Sequence, residues 1–472
     1  MAEVFSVNSP PGEIKFLAVM ALLLLSACSG IYKPQNVALN EERQGYHLGR
    51  FSDEHAFGDT LLVLSFSGGG TRAAALSYGV LKELRDTYLP SEHTRYRLLD
   101  EVDLISGVSG GSFTAAYYGL HGEDTFDLYE KVFLRQKIQS TLIRQLLTPT
   151  YWWRSLFSGF DRTEMAIEYY DTFVFNKATF NDILLENHPF ILINATDLSS
   201  GNRFSFTQDV FDLFCSDIGE LSVARAVTAS SAVPVAFPPV VMENYAGTCD
   251  SRHSAIAQYQ SNDTEEDPRF QDQRQSYLRY MKRQERPFIH LVDGGISDNL
   301  GLRAAKENMG YIVQQPNFVD DLDAVKRIVL IMVNAEVRPS SPMDQSPEKP
   351  GIVETVDAVT NSQIRNYNLE TKLLVSRYGA EIEAKTGKKF YFIDLNFQSF
   401  HKDTFKRFFN NLPTSLELKD SDVDSLISGG RTLLRTSPEF RALLADMRGL
   451  ASEEELPLEA EISPMLEEMA EE

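Results

Sequence analysis

Long apolar runs alternate with amphipathic stretches along this chain. Residues 61–66, LLVLSF, are apolar almost without interruption, the pattern of a strand buried on both faces of a parallel sheet. Helix formers follow at 73–84, a second short strand is predicted at 102–106, and helical spacing returns at 113–120 and 124–145. Residues 190–196 read as another buried strand, 203–207 alternate like a strand with one face exposed, and 221–230 read as a helix. Strands at 288–292 and 327–334 enclose a helix at 302–309. A long helix at about 353–378, a strand at 389–395 and helical patterns at 404–411 and 423–447 complete the order. Strands alternating with helices through most of the chain predict an α/β fold with a largely parallel sheet.

Two stretches depart from that rhythm. Residues 250–286 are polar and heavily charged, with scattered apolar positions, and read as a surface excursion between two core elements, with a cover over a site as the alternative. Residues 148–160, TPTYWWRSLFSGF, hold both tryptophans. Packing or capping against the core is the first reading of these aromatics, and a membrane interface is the second.

Composition narrows the class. Hydrophobic residues at 43% and charged residues at 24% of 472 positions fit a globular chain and exclude a disordered or multi-span one. A net charge of -22 argues against a nucleic-acid partner, because holding a phosphate backbone takes clustered Lys and Arg. Part of that charge sits in residues 451–472, a run of glutamates without a base, which reads as a solvated tail with no function of its own.

The N-terminus carries a different signal. Residues 16–25, FLAVMALLLL, are too few to span a bilayer as a helix but have the length of a signal-peptide core. They end in Leu25-Ser26-Ala27-Cys28, which resembles the lipobox of bacterial lipoproteins, where the signal is cut before the cysteine and the cysteine is lipidated. The resemblance implies a signal peptide at 1–27, a tether at 28–60 and an exported, membrane-anchored protein. Ser29 in place of an aspartate implies sorting to the outer membrane. A chance cysteine after an ordinary signal peptide is the alternative. Lys15, outweighed by Glu3 and Glu13, departs from the usual positive n-region, which a start downstream of Met1 would explain. The remaining cysteines, Cys215 and Cys249, form an even pair that fits either a disulfide or two buried thiols.

Two glycine-rich turns carry the chemistry. Gly107-Val108-Ser109-Gly110-Gly111 is an instance of G-x-S-x-G between a predicted strand and a predicted helix, the setting in which small neighbours let a serine hydroxyl stand clear of a sheet. A serine nucleophile needs a base. His401, in Phe400-His401-Lys402-Asp403, has the chain position of a triad histidine, although it reads first as an exposed polar residue. Asp293, in Asp293-Gly294-Gly295, follows the strand 288–292 and offers a carboxylate at a strand's C-terminal end, with a turn-forming aspartate as the bland reading. His290 points to the other face of that strand and reads as structural. Attack on an ester carbonyl produces an oxyanion, which preorganised amides at a helix N-terminus stabilise best. Gly68-Gly69-Gly70-Thr71-Arg72 supplies such amides at the end of the first strand, and with neither G-K-[ST] nor G-x-G-x-x-G it does not fit a nucleotide.

GGGTR, GVSGG and DGG in this order, with the block Ala229-Ser230-Ser231-Ala232-Val233-Pro234 running on to Pro238-Pro239, resemble the patatin-like phospholipase family, in the bacterial branch of a group of serine acyl hydrolases. The resemblance covers roughly residues 60–335. It implies a three-layer α/β/α catalytic domain at 61–335 with a largely parallel sheet and a serine nucleophile elbow, and leaves 336–450 as an α/β extension packed on that domain. It implies a Ser-Asp dyad without histidine: Ser109 as nucleophile in the elbow of Gly107, Gly110 and Gly111, and Asp293 as general base. Gly68, Gly69, Gly70 and Thr71 would form the oxyanion hole, and Arg72 would hold that loop. The implied substrate is a phospholipid or related acyl ester, with no metal, cofactor or nucleotide. An idle envelope lipoprotein that binds lipid or a partner is the rival from another class, and the intact Ser109, Asp293 and glycine loop argue against it.

Overall fold

The runs read as continuous apolar strands become the inner strands of one sheet. The computed structural model describes residues 32–39, 45–55, 57–90, 95–184, 188–249, 268–314, 325–338, 343 and 347–450. The expected signal segment, Cys28, parts of the tether, residues 250–267 of the excursion and the acidic stretch 451–472 lie outside the described residues.

The sheet has eight strands: β1 (Thr60–Phe66), β2 (Val102–Val108), β3 (Phe190–Asp197), β4 (Arg203–Ser205), β5 (Val240–Glu243), β6 (Phe288–Val292), β7 (Arg327–Asn334) and β8 (Lys389–Asn396). Their order is β8-β7-β1-β2-β3-β6-β5, with β4 also paired to β3. From β8 to β3 the neighbours are parallel, while β6 and β5 add antiparallel pairs at one edge. Every residue of β1, β2, β3 and β7 is buried, which is why their sequences do not alternate.

Helices cover this sheet. The ones that bear on the site are α1 (Gly70–Asp86), α2 (Gly110–His121), α3 (Ile138–Leu146), α4 (Pro149–Ser158), α5 (Arg162–Phe173), α6 (Val223–Ser230), α7 (Pro268–Tyr280), α8 (Leu302–Gln314), α9 (Ile352–Thr386), α10 (Asp403–Asn410), α11 (Asp420–Thr436) and α12 (Pro438–Met447). Helix α1 packs on α2 and α11, and α8 packs on α9, β1 and β2.

The extension after residue 335 is more than a cap. It supplies the edge strand β8, parallel to β7, and the helix α11 that lies closest to α1. Gly79 and Gly430 permit that approach, since a Cβ on either would collide with a carbonyl of the other helix, Ile427 or Leu76. Buried Glu83 on α1 then accepts hydrogen bonds from Arg431 (3.0 Å) and Arg435 (2.8 Å) of α11.

Four sequence expectations change. The stretch 124–145 is not one helix: a π-turn at Glu130–Leu134 separates a short helix, Thr125–Tyr129, from α3. The stretch 423–447 breaks at Ser437, because Pro438 cannot continue the hydrogen-bond ladder and instead opens α12. Strand β4 ends at Ser205 and has no exposed face: Arg203 is buried against Glu307, and the Ser205 hydroxyl donates to Asn194 Oδ1 at 2.8 Å. Polar residues in such pairs imitate a solvent-facing register. Within the supposed surface excursion 250–286, residues 268–280 form α7, with Tyr277 and Tyr280 buried and the Tyr280 hydroxyl donating to Asp197 Oδ2 at 2.8 Å. A disulfide joins Cys215 to Cys249 ahead of that segment.

Candidate active site

Parallel pairing of β1 with β2 aligns Phe66 with Gly107, so the two glycine-rich turns leave the sheet side by side. At the β2–α2 turn Ser109 adopts φ 50°, ψ -122°, a conformation most side chains avoid. Local and long-range hydrogen bonds hold it there. The Ser109 amide donates to Ser230 Oγ at 2.8 Å, that hydroxyl donates to the Asn194 carbonyl at 2.6 Å, and Ser112 donates to the Ser109 carbonyl through N (3.0 Å) and Oγ (2.6 Å).

Asp293 reaches the serine by register rather than by strand direction. The sequence places it at the end of a strand in a parallel sheet, but β6 runs antiparallel and overlaps β3 only through Leu291–Asp197 and Val292–Thr196. Chain growth past Val292 therefore carries Asp293 back beside the elbow, where Ser109 Oγ donates to Asp293 Oδ2 at 2.9 Å. The Asp293 amide donates to the Ala232 carbonyl (3.0 Å), the Gly294 amide to the Ser230 carbonyl (3.0 Å), and Thr196 Oγ1 to the Asp293 carbonyl (2.8 Å). The other carboxylate oxygen accepts from the Gly295 amide at 2.7 Å. Burial pushes the Asp293 carboxyl up from 3.8 to about 6, against these Gly295 and Ser109 hydrogen bonds, which favour the ionised form. At neutral pH the group is an ionised base, stronger than an exposed carboxylate, hydrogen-bonded to a serine hydroxyl.

The neighbouring turn presents backbone. Gly69 and Gly70 take φ 143° and 61°, which only glycine adopts without strain, and a Cβ on Gly110 would run into the Gly70 carbonyl. The amides nominated from sequence divide into two groups. Gly68 N donates to the Asn299 carbonyl and Thr71 N to the Ser415 carbonyl, each at 2.9 Å, so neither is open to an oxyanion. The Gly69 and Gly70 amides bond to no described residue. This corrects the expectation for Gly68 and Thr71, and the cause is tertiary: the loop after β6 and the segment 412–417 close on the glycine turn from either side.

Arg72 is buried with no carboxylate among the described residues. It donates from Nε to the Ala335 carbonyl (3.0 Å) and from Nη1 to the Leu412 carbonyl (2.8 Å), and burial pushes its guanidinium down to about 10. It thus ties the start of α1 to the end of β7 and to the segment 412–417. Glu417 anchors the far end of that segment, accepting from Ser140 N (2.8 Å) and Oγ (2.7 Å) at the start of α3.

Ser109 opens onto a cavity of about 460 Å³ whose walls include Phe113, Phe133, Leu142, Leu146, Met165 and Phe237. This lining suits an acyl chain and offers little to a polar substrate. No histidine lines it among the described residues, and His401 is exposed and bonds neither Ser109 nor Asp293. His290 lies on β6, where its carbonyl accepts from the Leu198 amide at 2.9 Å.

Sequence reading gave no role to several residues that shape the site. Ser230 stood inside the quoted block 229–234, where the hydroxyls of Thr228 and Ser231 beside it left no local sign to single it out. Asn194 and Thr196 stood only as polar positions in the buried strand read at 190–196. Asn194 Nδ2 in fact bonds Ser106 Oγ (3.0 Å) and the Gly107 carbonyl (3.2 Å), so a lone amide in an apolar run was the usable clue. Ser415 carried no local signal at all.

No curated protein matches the chain. Residues 64–306, more than half of the chain and inclusive of both glycine turns and Asp293, match the family model described as patatin-like phospholipase. The chain belongs to the patatin-like phospholipase family and carries the domain of a lipid acyl hydrolase.

Proposed function

We propose that this protein cleaves acyl ester bonds of phospholipids or related lipids through a Ser109–Asp293 dyad and an acyl-enzyme intermediate. The observation that carries the reading is the 2.9 Å hydrogen bond from Ser109 Oγ to the buried Asp293 carboxylate at the floor of an apolar cavity. Asp293 takes the hydroxyl proton as Ser109 Oγ attacks the ester carbonyl carbon, and the Gly69 and Gly70 amides receive the oxyanion. Collapse breaks the bond to the leaving alcohol, which departs with the proton from Asp293 and leaves an ester on Ser109. Asp293 then deprotonates a water that attacks this ester, and the returning proton restores the Ser109 hydroxyl as the fatty acid leaves. Arg72 keeps the glycine turn in place through Ala335 and Leu412.

The sequence Leu25-Ser26-Ala27-Cys28 after ten apolar residues supports a second part of the proposal, export with a lipid on Cys28. Fatty-acid release from phosphatidylcholine and phosphatidylethanolamine vesicles by wild type and by Ser109→Ala tests the activity. Release by the wild type that vanishes in the variant is expected. Equal release by both, with both folded by circular dichroism, overturns the nucleophile assignment, and release by neither overturns the phospholipid assignment.

A further inference from the structure

Helix α4 is specified as a helix but buries nothing. Thr148 caps its N-terminus by accepting from the Tyr151 amide at 3.3 Å, Pro149 opens it, and Gly159 ends it in the left-handed conformation at φ 64°. Yet no residue of α4 is buried. Trp152, Trp153, Leu156 and Phe157 fall within one face at helical spacing, and all four are exposed, the tryptophans at 59% and 68%. The opposite face is polar: Arg154 stands over the Phe160 ring at 3.6 Å and pairs with Glu168 at 2.7 Å. Soluble chains seldom leave such an apolar face open without a partner for it.

Position and charge together identify the partner. Ile143 and Val233 line the cavity above Ser109 and are themselves half-exposed, so the cavity wall runs out onto the surface. Ile143 lies on α3, which α4 follows after two residues and touches, so α4 stands next in the chain to a helix that walls the acyl cavity. A net charge of -22 opposes attraction to an anionic surface, which leaves burial of aromatic and aliphatic side chains as the driving force. Tryptophan suits this setting because its ring is mostly apolar and its N–H stays satisfied at the headgroup level.

We propose that α4 docks the protein on the surface of a zwitterionic phospholipid bilayer, lying in the headgroup boundary with its Trp152, Trp153, Leu156 and Phe157 face inward and the cavity mouth against the membrane. The choice of occupant rests on the acyl-hydrolase reading, since an acyl chain leaving a bilayer would then enter the cavity without crossing water. This contact is separate from any lipid on Cys28.

Both tryptophans of the protein lie on α4, so tryptophan emission reports on this helix alone. Full-length Ser109→Ala protein, mixed with phosphatidylcholine vesicles, is expected to shift its emission to the blue and to be quenched by bromine on the upper acyl carbons. Emission unaltered by vesicles overturns the proposal. Emission that is blue and shielded from acrylamide before vesicles are added also overturns it, because a second copy or the apolar residues 16–25 would then cover the helix. In the active protein, Leu156→Ser/Phe157→Ser keeps the tryptophans and is expected to lower phosphatidylcholine vesicle hydrolysis and vesicle partition by about tenfold. Hydrolysis of monomeric p-nitrophenyl butyrate is expected to stay within about twofold of wild type, as these side chains lie outside the cavity lining. Equal loss on both substrates overturns the docking role. A wild type that hydrolyses neither substrate sinks the hydrolase reading instead, while the fluorescence result still decides whether α4 meets a bilayer.

Discussion

The two glycine-rich turns leave neighbouring parallel strands at the same level and lead into neighbouring helices, but they place opposite parts of the chain at the site. At 107–111 the residue with positive φ is Ser109, whose strained backbone lifts a hydroxyl toward Asp293. At 68–72 the residues with positive φ are Gly69 and Gly70, which lift backbone amides and no side chain. Strain at a serine must be held by hydrogen bonds, here a long-range one with Ser230 and local ones from Ser112, whereas glycine needs no such help. In the proposed mechanism a nucleophile and an oxyanion site thus come from one local design that differs in which residue sits at the bend.

The largest effect should come from pressing the two turns together. Gly110→Ala drives a methyl into the Gly70 carbonyl, and either turn must move. We expect kcat/KM on a soluble ester to fall by about a thousandfold with a cost in stability of about 3 kcal/mol, measured by kinetics and urea denaturation. Retention of near-wild-type activity would show that the turns are less tightly coupled than their packing indicates.

Next in size is the Asp293 charge. Its folded pKa of about 6 exceeds the unfolded 3.8, so the folded state holds the proton more tightly. Stability from this group is present below pH 3.8 and is lost as pH rises toward 6, a cost of up to about 3 kcal/mol above that point. Asp293→Asn removes the cost. Its unfolding free energy should exceed that of wild type at pH 8, with the gap closing by pH 4, and a variant weaker than wild type at pH 8 would contradict the burial argument. For the wild type, kcat/KM should fall about tenfold per pH unit below about 6 as the base is protonated.

The smallest effect sharpens the contrast directly. Ser230→Ala removes the acceptor for the Ser109 amide and leaves the glycine turn alone. A loss of about 1–2 kcal/mol in stability and about tenfold in kcat, with KM on a soluble ester unchanged, is expected. A change in KM alone would place Ser230 in substrate binding rather than in support of the strained turn.

Much of this arrangement was legible in the chain because its causes are local. Burial on both faces writes itself as an apolar run, so β1, β2, β3 and β7 could be read to within two residues. The turns and Asp293 were readable because glycines cluster where backbones must bend or approach. What stayed hidden depends on partners distant in sequence. Ser415, which closes on Thr71, comes from 344 positions later and has no pattern of its own. Arg203 and Ser205 looked solvent-facing because nothing local reveals Glu307 or Asn194. Tyr277 and Tyr280 lie in a charged stretch whose helix is buried on only one side. The tryptophans erred the other way: aromatic content suggested packing, yet Trp152 and Trp153 are exposed.

In the proposed dyad a carboxylate alone activates Ser109, and steady-state hydrolysis of a soluble ester by Asp293→Asn beside His401→Ala separates it from a triad. The dyad predicts that Asp293→Asn loses activity by about a thousandfold or more while His401→Ala retains nearly all of it. Loss in His401→Ala with activity kept in Asp293→Asn would contradict it and make the exposed histidine part of the machinery.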